Sequence, residues 1–122
     1  MDSTLIPGRP VNINDLTLEH RPVPADQVAA GTPTTGLNSL GRFGGLGLGV
    51  WEMSAGGMHD IEAEELFLVV SGNATVVIHH DAPGGAASRI IELAAGSLMH
   101  LTAGMRTTWT VHEPLRKVHL AP

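Results

Sequence analysis

From Gly36 to the C-terminus the chain repeats one pattern, apolar runs of four to eight residues separated by short stretches rich in glycine or proline. Runs of that length, each bounded by residues that tolerate turn geometry, are what the strands of a β-sandwich or barrel produce. The pattern predicts strands near 38–43, 46–54, 65–71, 74–80, 88–93, 98–101, 106–112 and 116–120. Between them, Ser71-Gly72-Asn73 offers left-handed conformations and Asp81-Ala82-Pro83-Gly84-Gly85 reads as a loop. Ala95-Gly96, Ala103-Gly104 and His112-Glu113-Pro114 read as further reversals. No helix is expected, because the alanine-rich stretches are interrupted by Gly56-Gly57, Gly84-Gly85 and Gly96.

The first third differs. Pro7, Pro10, Pro22, Pro24 and Pro33 break it up and its hydrophobic periodicity is weak, so residues 1–35 are expected to form an extended arm packed on a barrel made by 36–122. The shared parity of Val11 and Ile13, and the alternation around Leu16 and Leu18, point to short edge strands within it.

Composition narrows the function more than the fold. One domain is expected from 122 residues, and 43% apolar content excludes wholesale disorder. Seven Lys and Arg against twelve Asp and Glu, a net charge of −5, argue against a nucleic-acid partner, whose affinity comes from clustered cations. With no cysteine, disulfides and thiolate chemistry are excluded, and any metal must be held by imidazole or carboxylate. Asp2, Pro7, Gly8 and Pro10 interrupt the short hydrophobic start, unlike a signal peptide, and no window offers the apolar length of a membrane span. The expectation is a cytoplasmic protein without a membrane partner.

The densest polar cluster is His59-Asp60-Ile61-Glu62-Ala63-Glu64-Glu65, directly ahead of Leu66-Phe67-Leu68-Val69-Val70. Charge runs ordinarily face water, and most of these side chains read as a solvated loop. Glu65 is different: it shares parity with Phe67 and Val69, so if that face lines a barrel, Glu65 sits at its mouth or inside it and needs a metal, a cation or a donor as partner. In the late strand Thr107, Trp109 and Val111 share one face, while Arg106, Thr108, Thr110 and His112 share the other. Only four aromatic residues exist, Phe43, Trp51, Phe67 and Trp109, so any aromatic ligand wall must use them. Alternation allows only one of Arg116 and Lys117 to face inward.

Val50-Trp51-Glu52, Glu65 with six residues between it and Gly72, Ala95-Gly96-Ser97, Ala103-Gly104 and the string from Trp109 to Lys117 together resemble the cupin superfamily. The branch they resemble most is that of small single-domain proteins related to the cupin domain of ureidoglycine aminohydrolase. The resemblance spans about 46–120 and implies an all-β jelly-roll barrel with its site inside, and a homodimer. In metal-binding cupins the first motif supplies His-x-His and then a Glu with six residues between it and a Gly, and the second supplies a His three residues after a Pro-x-Gly turn. Glu65 and Gly72 match the first motif. Its histidine slots fall on His59 and Ile61, or on Met58 and Asp60 with a spacer one residue longer. In the second motif Gly96 and Gly104 are kept, Thr102 replaces the Pro, and Thr107 stands where the His should be.

At best His59, Asp60 and Glu65 remain as metal candidates, a degenerate set for Mn, Fe, Ni or Zn, so no cofactor is predicted. His79, His80, His100, His112 and His119 are the other imidazoles, of which His79 and His80 cannot both face inward. The expected function is binding of a small polar molecule by His59, Glu65, Phe67, Thr107 and Trp109. The alternatives are a metal-dependent, aminohydrolase-like cupin enzyme and a non-catalytic dimeric assembly or regulatory module.

Overall fold

The computed structural model describes residues 5–79 and 88–122; His80 and the loop expected at Asp81 to Gly85 lie outside them. The described chain is all-β, with nine strands and no α-helix. They are β1 (His20–Pro22), β2 (Val28–Ala30), β3 (Thr34–Phe43), β4 (Leu46–Met53), β5 (Gly56–Ile61), β6 (Glu65–His79), β7 (Arg89–Ala94), β8 (Leu98–Leu101) and β9 (Arg106–Ala121).

Two long strands organise everything else. β6 and β9 run antiparallel from Leu66 opposite Leu120 to His79 opposite Arg106, and each changes partners half-way. The first half of β6 pairs with β8 and the second with β7, while the first half of β9 pairs with β5 and the second with β4. The resulting curled sheet encloses one core of Met53, Phe67, Val69, Val76, Leu101, Trp109 and Leu115 with their neighbours.

This corrects the expected turns at Ser71 to Asn73 and His112 to Pro114: neither is a reversal. Register shifts between Val69 and Ala74 mark bulges at which both strands continue. Gly72 adopts φ +81° there, and a Cβ added to it would lie 2.0 Å from the Pro114 carbonyl oxygen. Glycine and proline chemistry that suits a turn suits a bulged bend equally well, which is why the sequence pattern divides each long strand in two. The tight turns at Ala95-Gly96 and Ala103-Gly104 occur as expected.

β5 takes in His59 to Ile61, the start of the segment read as a solvated acidic loop. Its two leading glycines act not as breakers but as points of close approach, since a Cβ on Gly57 would meet the Ala30 amide nitrogen of β2 at 3.0 Å. The N-terminal segment joins the sheet through β1 on β3 and β2 on β5. The edge strands expected around 11–18 do not form; Ile13–Asp15 is a single 3-10 turn, with the Asn12 side chain accepting from the Asn14 amide. Leu18 buries with Leu40 and Val50 on the outside of the sheet, joined by Leu5, Ile13 and Leu16. Arg116 fastens this layer, its guanidinium donating to the Ile13 carbonyl at 2.7 Å and to Glu52 at 2.6 and 2.9 Å.

Candidate functional site

Alternation along β9 decides which side chains reach the interior. Thr107, Trp109 and Val111 point inward, and after the bulged bend so do Leu115 and Lys117, whereas Arg116 points out to Glu52. That settles the choice between Arg116 and Lys117. Lys117 is 5% exposed, and a buried ammonium demands compensation. It has two kinds. Its Nζ forms an ion pair with the Glu65 carboxylate, and it sits 4.3 Å from the Phe67 ring centroid, 4.7 Å from Trp51 and 4.9 Å from Trp109. Three aromatic faces present their negative quadrupoles to one cation. The rings also pack on each other, Trp51 on Trp109 at 5.8 Å and Phe67 on Trp109 at 5.9 Å. Three of the chain's four aromatic residues thus meet at one point.

A second polar knot lies on the same face. Glu62, 8% exposed, accepts hydrogen bonds from Thr107 Oγ1 at 2.6 Å and from Trp109 Nε1 at 3.0 Å. Its backbone is clamped as well: its amide donates to the Met105 carbonyl and its carbonyl accepts from the Gly104 amide, both at 2.8 Å. Asp60, opposite Thr107 in the β5–β9 register, lies next to it. Burial first, then the neighbouring Glu62 charge, pushes the Asp60 carboxyl up to about 6.

Lys117, Glu65, Glu62 and Asp60, with Trp51, Trp109, Met58, Leu37 and His119, line a cavity of about 180 Å³, room for about six waters at ~30 Å³ each. Burial holds the His119 imidazole below its usual value, hence neutral at pH 7, and its buried Nδ1 has no hydrogen-bond partner. A larger, more open cavity of about 560 Å³ meets the first at Asp60 and is bounded by Asp26, His59, His79 and Arg106.

Of the five side chains expected to bind a ligand, the structure gathers four. Glu65, Phe67 and Trp109 surround Lys117, and Thr107 supports Glu62. His59 is not among them. Pairing of His59 with Thr108 puts it on the opposite face of β5, where Nδ1 lies 2.9 Å from Thr108 Oγ1; His79 Nε2 approaches the same hydroxyl at 2.7 Å. His100 and His112 are also exposed, beside Glu64 and Thr75 respectively. Sequence reasoning missed Glu62 as a partner; Lys117 was legible in part, as one of two residues of which one had to face inward and would then neutralise Glu65. No periodic signal marks Glu62, which lies in the connection between β5 and β6.

A metal of the cupin type does not fit these residues. The candidates His59, Asp60 and Glu65 do not converge, since strand alternation sends His59 outward, and among the described residues no three His, Asp or Glu side chains form a cluster that could hold an ion. Glu65, the carboxylate the first motif would offer, is already neutralised by Lys117. The buried ammonium and the divalent ion are competing solutions to the same electrostatic need.

The described residues include no helix long and apolar enough to cross a membrane. The fold is shared widely among solved structures. The EutQ protein of Clostridium difficile matches with a TM-score of 0.58 at 18% identity, over 73% of this chain and 68% of that one. A DUF861 protein of unknown function from Pseudomonas syringae pv. tomato gives 0.68 at 16% identity, over 88% of this chain and 45% of its own. A conserved Streptococcus pyogenes protein of unknown function gives 0.62 at 14%, over 99% and 94%. Comparison of the sequence with curated proteins finds no significant match. The sequence profile of the EutQ-like cupin domain matches residues 40–119, well over half of the chain, and the protein belongs to that cupin family.

Proposed function

We propose that the protein binds a small polar molecule in the cavity beside Lys117, without a metal ion. The observation that carries this reading is the convergence of Asp60, Glu62, Glu65 and Lys117 on one small cavity walled by Trp51 and Trp109. Aromatic walls with a few convergent polar groups are the usual make-up of a small-molecule site. Trp51 and Trp109 border the space directly, so binding is expected to change the intrinsic fluorescence. Titration of a metabolite library followed by tryptophan emission and thermal shift tests the proposal. Trp109→Phe should weaken any binding found while the chain stays folded. A library that moves neither signal contradicts the reading.

A second reading rests on Asp60. A carboxyl pushed up to about 6 exchanges its proton near neutral pH, as a general acid or base must. Under this reading the cupin is an aminohydrolase-like enzyme, and Asp60 moves a proton at the bound substrate. Stoichiometric Mn, Fe, Ni or Zn in the purified protein, lost on Glu65→Ala, would contradict the metal-free reading.

A further inference from the structure

The charged groups around the cavity are unequal. Asp60, Glu62 and Glu65 face it against a single ammonium, Lys117, and the His119 imidazole is held neutral. Lys117 is committed to Glu65 and to three aromatic faces. Asp60 and Glu62 are therefore left without an ion-pair partner among the described residues, and Thr107 and Trp109 anchor Glu62 by neutral donors alone. An anion entering this space meets three carboxylates. A neutral molecule gains no ion pair. A cation gains one, beside the buried Glu62, where charge-assisted hydrogen bonds are strong. The indoles of Trp51 and Trp109 and the Met58 side chain supply apolar surface for a short carbon chain.

We infer that the ligand is a small organic cation, a primary or secondary ammonium on a short carbon skeleton, whose N–H groups donate to the Asp60–Glu62 carboxylate pair. This rests on the reading of the cavity as a binding site and adds the chemical class of what it holds. Lys117 then has a definite part: by neutralising Glu65 from within the chain it removes one of the places where a cation could otherwise settle, and leaves Asp60–Glu62 as the seat for the ligand's charge.

The test uses the full chain and three probes of equal length, n-propylammonium, 1-propanol and propionate, titrated at pH 7.5 in the roughly millimolar range appropriate to so few atoms. Binding is read by tryptophan emission and thermal shift. The inference expects n-propylammonium to bind and the other two not to. In Asp60→Asn, which keeps the shape and removes the charge, its Kd should rise about tenfold or more, the loss expected of a charge-assisted hydrogen bond. His100→Ala, on the exposed surface, should leave the Kd unchanged. Propionate or 1-propanol binding as tightly as n-propylammonium, or an unchanged Kd in Asp60→Asn, overturns the inference while the cavity stands as a binding site. Silence from all three probes, together with a metabolite library that also gives no signal, overturns both.

Discussion

Removing the ammonium of Lys117 while keeping its length, Lys117→Met, isolates the most unusual feature of this interior. The substitution leaves the Glu65 carboxylate, whose side chain is 16% exposed, with no counter-charge, and leaves three aromatic rings without the cation they face. Breaking a buried pair on one side costs about 3–5 kcal/mol, most of it the desolvation of the charge left behind. Lost cation–π contact adds about 0.5–2 kcal/mol. In urea, at a slope of about 1–3 kcal/mol per molar, the lower end of that range already moves the midpoint by about 1 M or more. The double variant Lys117→Met, Glu65→Gln removes both charges and should recover most of the loss, because a neutral pair of similar volume is tolerated where a lone charge is not. Equilibrium unfolding of wild type, both single variants and the double variant supplies the cycle. A loss under about 1 kcal/mol in Lys117→Met, or a double variant no more stable than the singles, would refute the reasoning.

Asp60→Asn should stabilise the protein at pH 8. Its carboxyl stands at about 6 in the folded chain against 3.8 in the unfolded, so the folded state gains from protonation. That contribution is complete below 3.8 and is lost as pH rises through 6, and the difference is about 1–2 kcal/mol after allowance for solvent screening of this half-buried group. Thermal denaturation of both proteins across pH 4–8 checks the convergence expected at the acid end. Gly72→Ala should cost upwards of about 3 kcal/mol, since its Cβ would fall 2.0 Å from the Pro114 oxygen at φ +81°. Gly104→Ala, at φ +88° with nothing within 4 Å, should cost only the backbone strain of about 1–2 kcal/mol; equal losses in urea would dismiss the account of the bend. Arg116→Ala should lose about 1–3 kcal/mol with the charged bonds to Ile13 and Glu52, and amide exchange around Ile13 to Leu16 should accelerate more than exchange in β6.

The all-β class was legible because strand length, alternation and turn chemistry agree over most of the chain. Parity put Glu65 with Phe67, and Thr107 with Trp109, on one face of their own strands, since a period of two fixes the face once one member of a strand is known to be buried; that the two faces meet followed from the cupin resemblance. The long-range facts were not legible. Gly72 and Pro114 look like the ends of hairpins in sequence, yet they lie across from one another in two strands that run on. His59 seemed close to Glu65 along the chain, but the parity of β5 could be fixed only by its pairing with β9, and that pairing turns His59 out and Asp60 in. Glu62 was hidden for a related reason: its donors, Thr107 and Trp109, lie more than forty positions away.

The central claim is that a chain-supplied ammonium, not a metal, occupies the polar heart of this cupin and leaves room beside it for a small molecule. An electron-density map of the cavity from crystals grown with n-propylammonium tests it most directly. The account predicts Lys117 on Glu65, an organic molecule against Asp60 and Glu62, and no anomalous signal at the Mn, Fe, Ni or Zn edges. A metal ion on Glu65 with Lys117 displaced, or an interior packed solid with side chains, would contradict it.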